Sequence, residues 1–511
     1  MARRLLRRLP PRVRQSWRFL TLCAVFAALC GVVLSTVRVA AVVTSDASEA
    51  YTVTDDVAGT VDLFDLGVSH ELSLTYDAGD YEKLLDSYFD EGEKEWMKAD
   101  LVVDGTFLED VGLRLKGNST LQGLTRPGEE TATEGRPGGM GRSTLSTEDP
   151  ANLPWLVDMD KYEDGRAYQG HDQFVLRVGG MGGGTAVLNE ALSVELLAAS
   201  EQAGQDYTYT SLSVNGSAPV SRLLIEHMDT PFAESLGDGV LYKQLASGSF
   251  TYQGDDPTEY ADDFKQVNLV GDRDLAPVIA FLKWLDGADD AAFAAELGDW
   301  VDVDSFASYV ATQNLLLNFD DMAGPGRNLY LWYDLGTRKL SVVTWDMNLA
   351  FSGSADQGPY DEGSMGGGMR GGEGQPGGEG LPGGAAPEGA GEGAAPGGGF
   401  PGGGAPGGGA PGGQRPEGAE GQPGGMQAGN ALKERFLAAE AFHEVYENAY
   451  RELYATFYAG GGALAALDAI TSSTALTSVS DAATVATQAQ QLRELITQRT
   501  TALAADAVIT A

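Results

Sequence analysis

SVVTWDMNLAF, residues 341–351, places three β-favouring residues, Val342, Val343 and Thr344, before Trp345, then a carboxylate, Asp346, with Asn348 two positions on. A strand closing on Asp is commonly no more than a turn. The residues upstream favour another reading. Asp304 to Leu317 fits a helix with Asp304 as N-cap, which runs into Asn318-Phe319-Asp320-Asp321 and a Gly-Pro-Gly turn. NLYLWYD (328–334) and LSVVTW (340–345) then read as two strands joined by LGTRK. With a five-residue loop, Leu335 to Lys339, Asp334 faces Leu340 and Asn328 falls opposite Asp346. The spacing predicts that Asp320, Asn328 and Asp346 converge where this hairpin opens.

Such a convergence has chemistry attached. Carboxylate and amide oxygens suit a hard cation, and a positioned carboxylate suits a base that orients an attacking hydroxyl. Helix, Asp, loop, Asn, hairpin and terminal Asp is also the order in which protein kinases present their base and metal ligands, with shorter spacings than the eight and eighteen residues here.

The chain has 511 residues, 43% hydrophobic content and a formal net charge of −39, so a nucleic-acid partner is excluded on charge. The exception is MARRLLRRLPPRVRQSWR, with seven arginines and no acid, followed by nineteen uncharged residues, Phe19 to Val37. That stretch approaches the length of a membrane span, and the arginines are expected to stay cytoplasmic. A cleavable signal peptide is the alternative, with small residues near Ala40 and Ala41. Either way the domain is expected outside the cell. Both cysteines, Cys23 and Cys30, lie in this segment, so the remainder has neither disulfide nor thiolate metal site.

Beyond it, Asp104-Gly105 and Asn215-Gly216 each sit between alternating runs and read as hairpin tips. Leu188, Leu192 and Leu196 form a helical stripe closed by Gly204, and helical patterns fill about 275–317. Residues Gly363 to Gly429 hold 31 of the 69 glycines in PGGG, APGG and PEG units, a composition that cannot bury enough apolar surface to fold. A helical face then resumes with Phe442, Val445, Tyr446, Ala449, Leu453 and Phe457, and a second helix spans about 481–506. The expected organisation is a basic tail (1–18), a transmembrane signal anchor (19–43), a tether (44–64), an α+β domain (65–352), a disordered Gly/Pro-rich insertion (353–429) and C-terminal helices completing the domain (430–511).

Six segments in this order, LRLKGNST (113–120), the VNG hairpin with IEHMD (225–229), GVLYK (239–243), NFDD with NLYLWYD, VTWDMNLAF, and NALKERFLAAEAFHEVYENAYRELY, resemble the CotH-type spore-coat protein kinase family. The resemblance covers roughly 65–352 and 430–500. It implies an atypical, two-lobed kinase-like fold that binds ATP with Mg2+ or Mn2+ and phosphorylates Ser/Thr of a protein substrate. On it Asp320 is the expected catalytic base and Asp346 the metal ligand, with Asn328 and Asn348 assisting. Arg114, Lys116 and Lys243 are the candidates for phosphate, and Glu190 and Glu226 could pair with a lysine or the metal. Read without the family, Arg114 and Lys116 share one face of a strand that leads into a Gly-Asn-Ser turn whose N–H groups could meet phosphate. The chain departs from the family pattern where only Lys161 remains of a Lys-rich stretch, where Asn189-Glu190 replaces Arg-Glu, and where Asn348 replaces a second aspartate. A pseudokinase or surface scaffold with the same fold is therefore the alternative.

Overall fold

Alternation of apolar residues rolls the first part of the chain into a closed barrel. A computed structural model describes residues 52–117, 120–126, 145–179, 186–361, 363 and 429–511. The basic tail, the signal anchor, Asn118-Ser119, residues 127–144 and residues 364–428 lie outside them; among the described residues no helix is long and apolar enough to cross a membrane. The chain forms two units, 1–368 with 428–511 and 369–427, and the barrel, the sheet and the helices all belong to the first.

The barrel strands are β1 (His70–Thr75), β2 (Met97–Val103), β3 (Thr106–Leu115), β4 (Trp155–Asp158), β5 (Gln173–Arg177), β6 (Tyr207–Val214) and β7 (Val220–Glu226), ordered β6-β7-β5-β4-β3-β2-β1. Both predicted hairpin tips are present: Asp104 and Gly105, then Asn215 and Gly216, all carry positive φ, as a right-twisting hairpin requires. The barrel closes through a parallel pairing of β6 with β1. Leu72, Leu101, Leu113, Leu115, Val157, Phe174, Leu176 and Leu224 fill its interior. The period of two then forces the intervening residues Arg114, Leu156, Val175 and Arg177 onto the outer face.

Against that face lies a four-stranded sheet, β9-β8-β10-β11, of β8 (Gly239–Gln244), β9 (Phe264–Gln266), β10 (Tyr330–Asp334) and β11 (Leu340–Val343). The β10–β11 register corrects the expected one by a residue: Tyr333 faces Leu340 and Tyr330 faces Val343. Asp334 is the cause. Its carboxylate accepts from the N–H and hydroxyl of Thr337, its carbonyl accepts from Arg338 N at 2.8 Å, and Arg338 turns back at φ 60°. The strand also ends earlier than expected, at Val343, so Asn328 and Asp346 lie beyond the ladder and are not cross-strand partners.

Helices α1 (Ala78–Glu91), α2 (Leu188–Ala199), α3 (Thr230–Ser235), α4 (Ala276–Gly287), α5 (Asp290–Trp300) and α6 (Val303–Leu315) precede the insertion, and α7 (Ala431–Ala438), α8 (His443–Tyr454), α9 (Gly462–Ser472) and α10 (Ala482–Leu503) follow it. The N-cap of α6 is Asp302, accepting from Ser305 N, rather than Asp304; α2 ends at Ala199, five residues before Gly204. Residues from both sides of the insertion share one core: α8 packs on α6 and α9 on α2, burying Tyr446, Tyr450, Leu453 and Phe457. Each such side chain contributes about 1.5–3 kcal/mol.

Candidate active site

The barrel's outer face and the four-stranded sheet bring three cations over one indole. Lys116 leaves the end of β3, its N–H bonded to Pro154 O, and Arg177 ends β5 on the same outer face. Lys243, on β8, sits opposite Tyr330. The Lys116 and Lys243 Nζ atoms lie 5.5 and 4.8 Å from the Trp345 ring centroid and the Arg177 Cζ lies 5.6 Å from it, so the ring's negative face partly compensates their burial. Lys243 also approaches Tyr330 at 5.2 Å, and Arg114 stacks on Trp96 at 4.5 Å.

Burial, and after it the crowding of like charge, pushes the pKa values of Lys116, Lys243 and His227 down. Burial, then Lys243, Arg114 and Arg177, hold Lys116 well below the ordinary lysine range. Lys243 is pulled down to about 8 by burial, with Asp346 opposing and Lys265, Arg114 and Arg177 adding. Lys116 Nζ lies 2.7 Å from His227 Nε2, and burial with these cations lowers the His227 pKa far enough to keep its ring neutral. Asp346 opposes the charges on Lys116 and Lys243 and, with Glu190, meets Arg177, so two acids face Lys116, Lys243, Arg177 and the nearby Arg114 in a protein of net charge −39. A polyphosphate would relieve the imbalance.

Beside the cations is a cluster of oxygens. Glu190 enters from the first turn of α2, where a helix N-terminus favours an acid. Arg177 Nη2 lies 2.6 Å from Glu190 Oε1 and 2.9 Å from Asp346 Oδ1, close but out of line, so both Glu190 oxygens and Asp346 Oδ1 are buried without a hydrogen-bond donor. Asn348 Oδ1 and Asn189 Oδ1 are buried and unpartnered too, while Asn189 Nδ2 ties α2 to the Asn348 and Ala350 carbonyls at 2.6 and 3.2 Å. Asp346 adopts a left-handed conformation (φ 56°), rare outside Gly, at the head of a short turn Met347–Leu349. Among the described residues no three His, Cys, Asp or Glu side chains are grouped to hold a metal. The unpartnered oxygens of Asp346 and Asn348 are nonetheless hard donors of the type that Mg2+ or Mn2+ takes, so the donor set fits in kind.

Asp320 is built into the loop between α6 and β10. Its carboxylate accepts from Gly326 N at 2.5 Å and from Asn328 Nδ2 at 3.2 Å, and Asn328 Nδ2 also reaches Asp320 O at 2.8 Å. Gly324-Pro325-Gly326 can wrap this carboxylate because both glycines lack Cβ: one on Gly326 would lie 2.6 Å from Asp320 Oδ2, one on Gly324 2.5 Å from Asp320 Cα. Burial raises the Asp320 pKa to about 6, with Gly326 N–H opposing and the charges of Asp346 and Asp321 adding.

The structure thus brings together Lys116, Lys243, Glu190, Asp346 and Asn348, with Arg114 nearby, and sets Asp320 within reach of the Asp346 charge. Asn328 partners Asp320. Glu226 goes elsewhere, its Oε1 3.1 Å from His171 Nδ1 and its Oε2 bonded to Asp206 N. Sequence reasoning missed Arg177, His227 and the role of Trp345. The signal for Arg177 was present: an arginine closing the apolar strand QFVLR parallels Lys116 after LRL.

Residues 141–503 of the chain match the family model described as CotH kinase protein. No curated protein matches the chain.

Proposed function

The chain belongs to the CotH kinase family, and on that premise we propose that it is an ATP-dependent protein kinase acting where the barrel's outer face meets the four-stranded sheet, which we read as the boundary of two kinase-like lobes. The single observation that carries this reading is the trio Lys116, Arg177 and Lys243 over Trp345, an excess of buried cations that an ATP triphosphate would neutralise.

In this reading Lys116, Lys243 and Arg177 hold the phosphates, and the neutral His227 orients the Lys116 ammonium through their 2.7 Å contact. Asp346 and Asn348 would hold Mg2+ or Mn2+, which when bound neutralises charge on the phosphates. Asp320 orients the Ser/Thr hydroxyl of a protein substrate and takes its proton as the oxygen bonds to the γ-phosphorus. The bond from that phosphorus to the β,γ-bridging oxygen breaks, and ADP leaves with the electron pair. At neutral pH a carboxyl titrating at about 6 is ionised yet still basic enough to serve.

The same proposal puts residues 1–18 in the cytoplasm, 19–43 in the membrane and the domain outside the cell, supported by the arginine cluster and the uncharged stretch after it. A second reading, a nucleotide-binding pseudokinase or scaffold, is favoured by one feature: Arg177 already sits against Asp346.

Calorimetric titration of ATP into the full chain, with and without Mn2+, tests the site. Binding by wild type, weakened at least tenfold in Lys116→Met and Lys243→Met, is expected from the loss of one charged contact each, about 1.5–3 kcal/mol. Failure of wild type to bind ATP at millimolar metal removes the kinase reading.

A further inference from the structure

We infer that Lys433, which follows the Gly/Pro-rich insertion in sequence, is a positioning residue for the loop that carries Asp320. The inference rests on the reading of Asp320 as the base. Asp320 touches the acceptor in that reading, but Asp321 beside it determines how the loop folds. The Asp321 side chain is 3% exposed; its Oδ1 accepts from Ala323 N at 2.8 Å, and its carbonyl accepts from Gly324 N at 3.0 Å and Asn328 N at 3.3 Å. Gly326 and Asn328 are the residues that bond the Asp320 carboxylate, so Asp321 organises the turn that delivers both donors.

A carboxylate this buried needs a cation, and the one that meets Asp321 Oδ2 is Lys433 Nζ, 112 positions away in sequence. Its placement is informative. Lys433 lies in the first turn of α7, whose N-cap Asn430 accepts from Leu432 N and Lys433 N. A cation at a helix N-terminus works against the helix dipole, so a lysine here costs α7 stability unless an anion faces it. Leu432 and Phe436, fully buried, fix the helix on the core and aim Lys433 at the loop. The chain on the far side of the insertion thereby completes the loop that holds the base.

Two readouts test this in the full-length chain. In Lys433→Met, loss of the ion pair should lower kcat for phosphoryl transfer about ten- to hundredfold, the range for a misplaced group, while KM for ATP stays within about twofold. Lys433→Arg should restore most of kcat. Separately, trypsin cleavage after Arg327, inside the same loop, should be at least about tenfold faster in Lys433→Met than in wild type or Lys433→Arg, at a temperature where all three are folded by circular dichroism. This second readout needs no catalysis, so it stands even if wild type transfers no phosphate and the kinase reading fails. Unchanged cleavage at Arg327 in Lys433→Met overturns the inference. So does equal loss of kcat in the Met and Arg variants, or a fall in kcat matched by a rise in KM for ATP.

Discussion

Arg177 Nη2 lies 2.9 Å from Asp346 Oδ1 while also meeting Glu190 Oε1 at 2.6 Å, so one guanidinium joins the barrel strand β5 to the helix α2 and to the turn after β11. Replacing Asp346 by Ala leaves Arg177 with Glu190 and removes the acid that would hold the metal. ATP affinity in Mn2+ should fall at least about tenfold, and affinity without metal should be unchanged or higher, because a negative charge beside the phosphates is gone. Calorimetry under both conditions reads this. Equal affinity of variant and wild type in Mn2+ would mean that Asp346 is not the ligand.

On the proposed reading, Lys243 would make ATP binding pH-dependent. Below about 8 its ammonium is charged and attracts phosphate; as pH rises through about 8 the free protein loses that proton and must regain it to bind. Affinity should therefore be level from pH 6.5 to 7.5 in this contribution and fall by up to about tenfold per unit above 8. Stability moves the other way. The unfolded lysine keeps its proton to 10.5, so between about 8 and 10.5 the unfolded chain binds more protons and this group's contribution to stability rises with pH. Affinity in Lys243→Met should lack the decline above 8. A parallel decline in that variant assigns it to another group.

Gly326→Ala should impair turnover without unfolding the protein. The new Cβ would stand 2.6 Å from Asp320 Oδ2 and 3.0 Å from Asn328 Nδ2, so the carboxylate must move. We expect kcat to fall by about ten- to hundredfold, with the melting temperature lowered by only a few degrees. Steady-state kinetics beside a thermal melt would show it, and an unaltered kcat would detach Asp320 from the chemistry.

Arg499 is fully buried on α10 and bonds three carbonyls that precede Gly363 and one hydroxyl that follows Gly429. It donates to Gln357 O, to Ala355 O at 3.2 Å, to Asn314 O at 3.1 Å and to the Tyr450 hydroxyl at 3.1 Å. Arg499→Met strands those acceptors, which should cost about 2–4 kcal/mol. Urea denaturation measures this directly; a midpoint shift under about 0.5 kcal/mol equivalent would show that water replaces the arginine.

The parts legible in the sequence were those governed by local pattern. Asp104-Gly105 and Asn215-Gly216 demand positive φ, so their hairpins could be placed; the stripe from Phe442 to Phe457 declared a helix needing a partner surface. Lys116, Lys243 and Asp346 were legible because each interrupts or ends an apolar run. The Asn328–Asp346 pairing failed because Asp334 closes its turn through Thr337 and Arg338, and a one-residue change of register moves every partner. Arg177 and His227 escaped because their significance comes from barrel closure and from Trp345, 168 and 118 positions away in sequence, which no local period encodes.

The most direct measurement is transfer of label from γ-labelled ATP, with Mn2+, by the full-length chain and its Asp320→Asn variant to itself or to a Ser/Thr-containing protein. The account predicts covalent label on Ser or Thr with wild type, and transfer reduced at least about a hundredfold in Asp320→Asn, a general-base loss, with ATP affinity within about twofold. Wild type that binds ATP but transfers no label, or an Asn variant that transfers as fast as wild type, would contradict it.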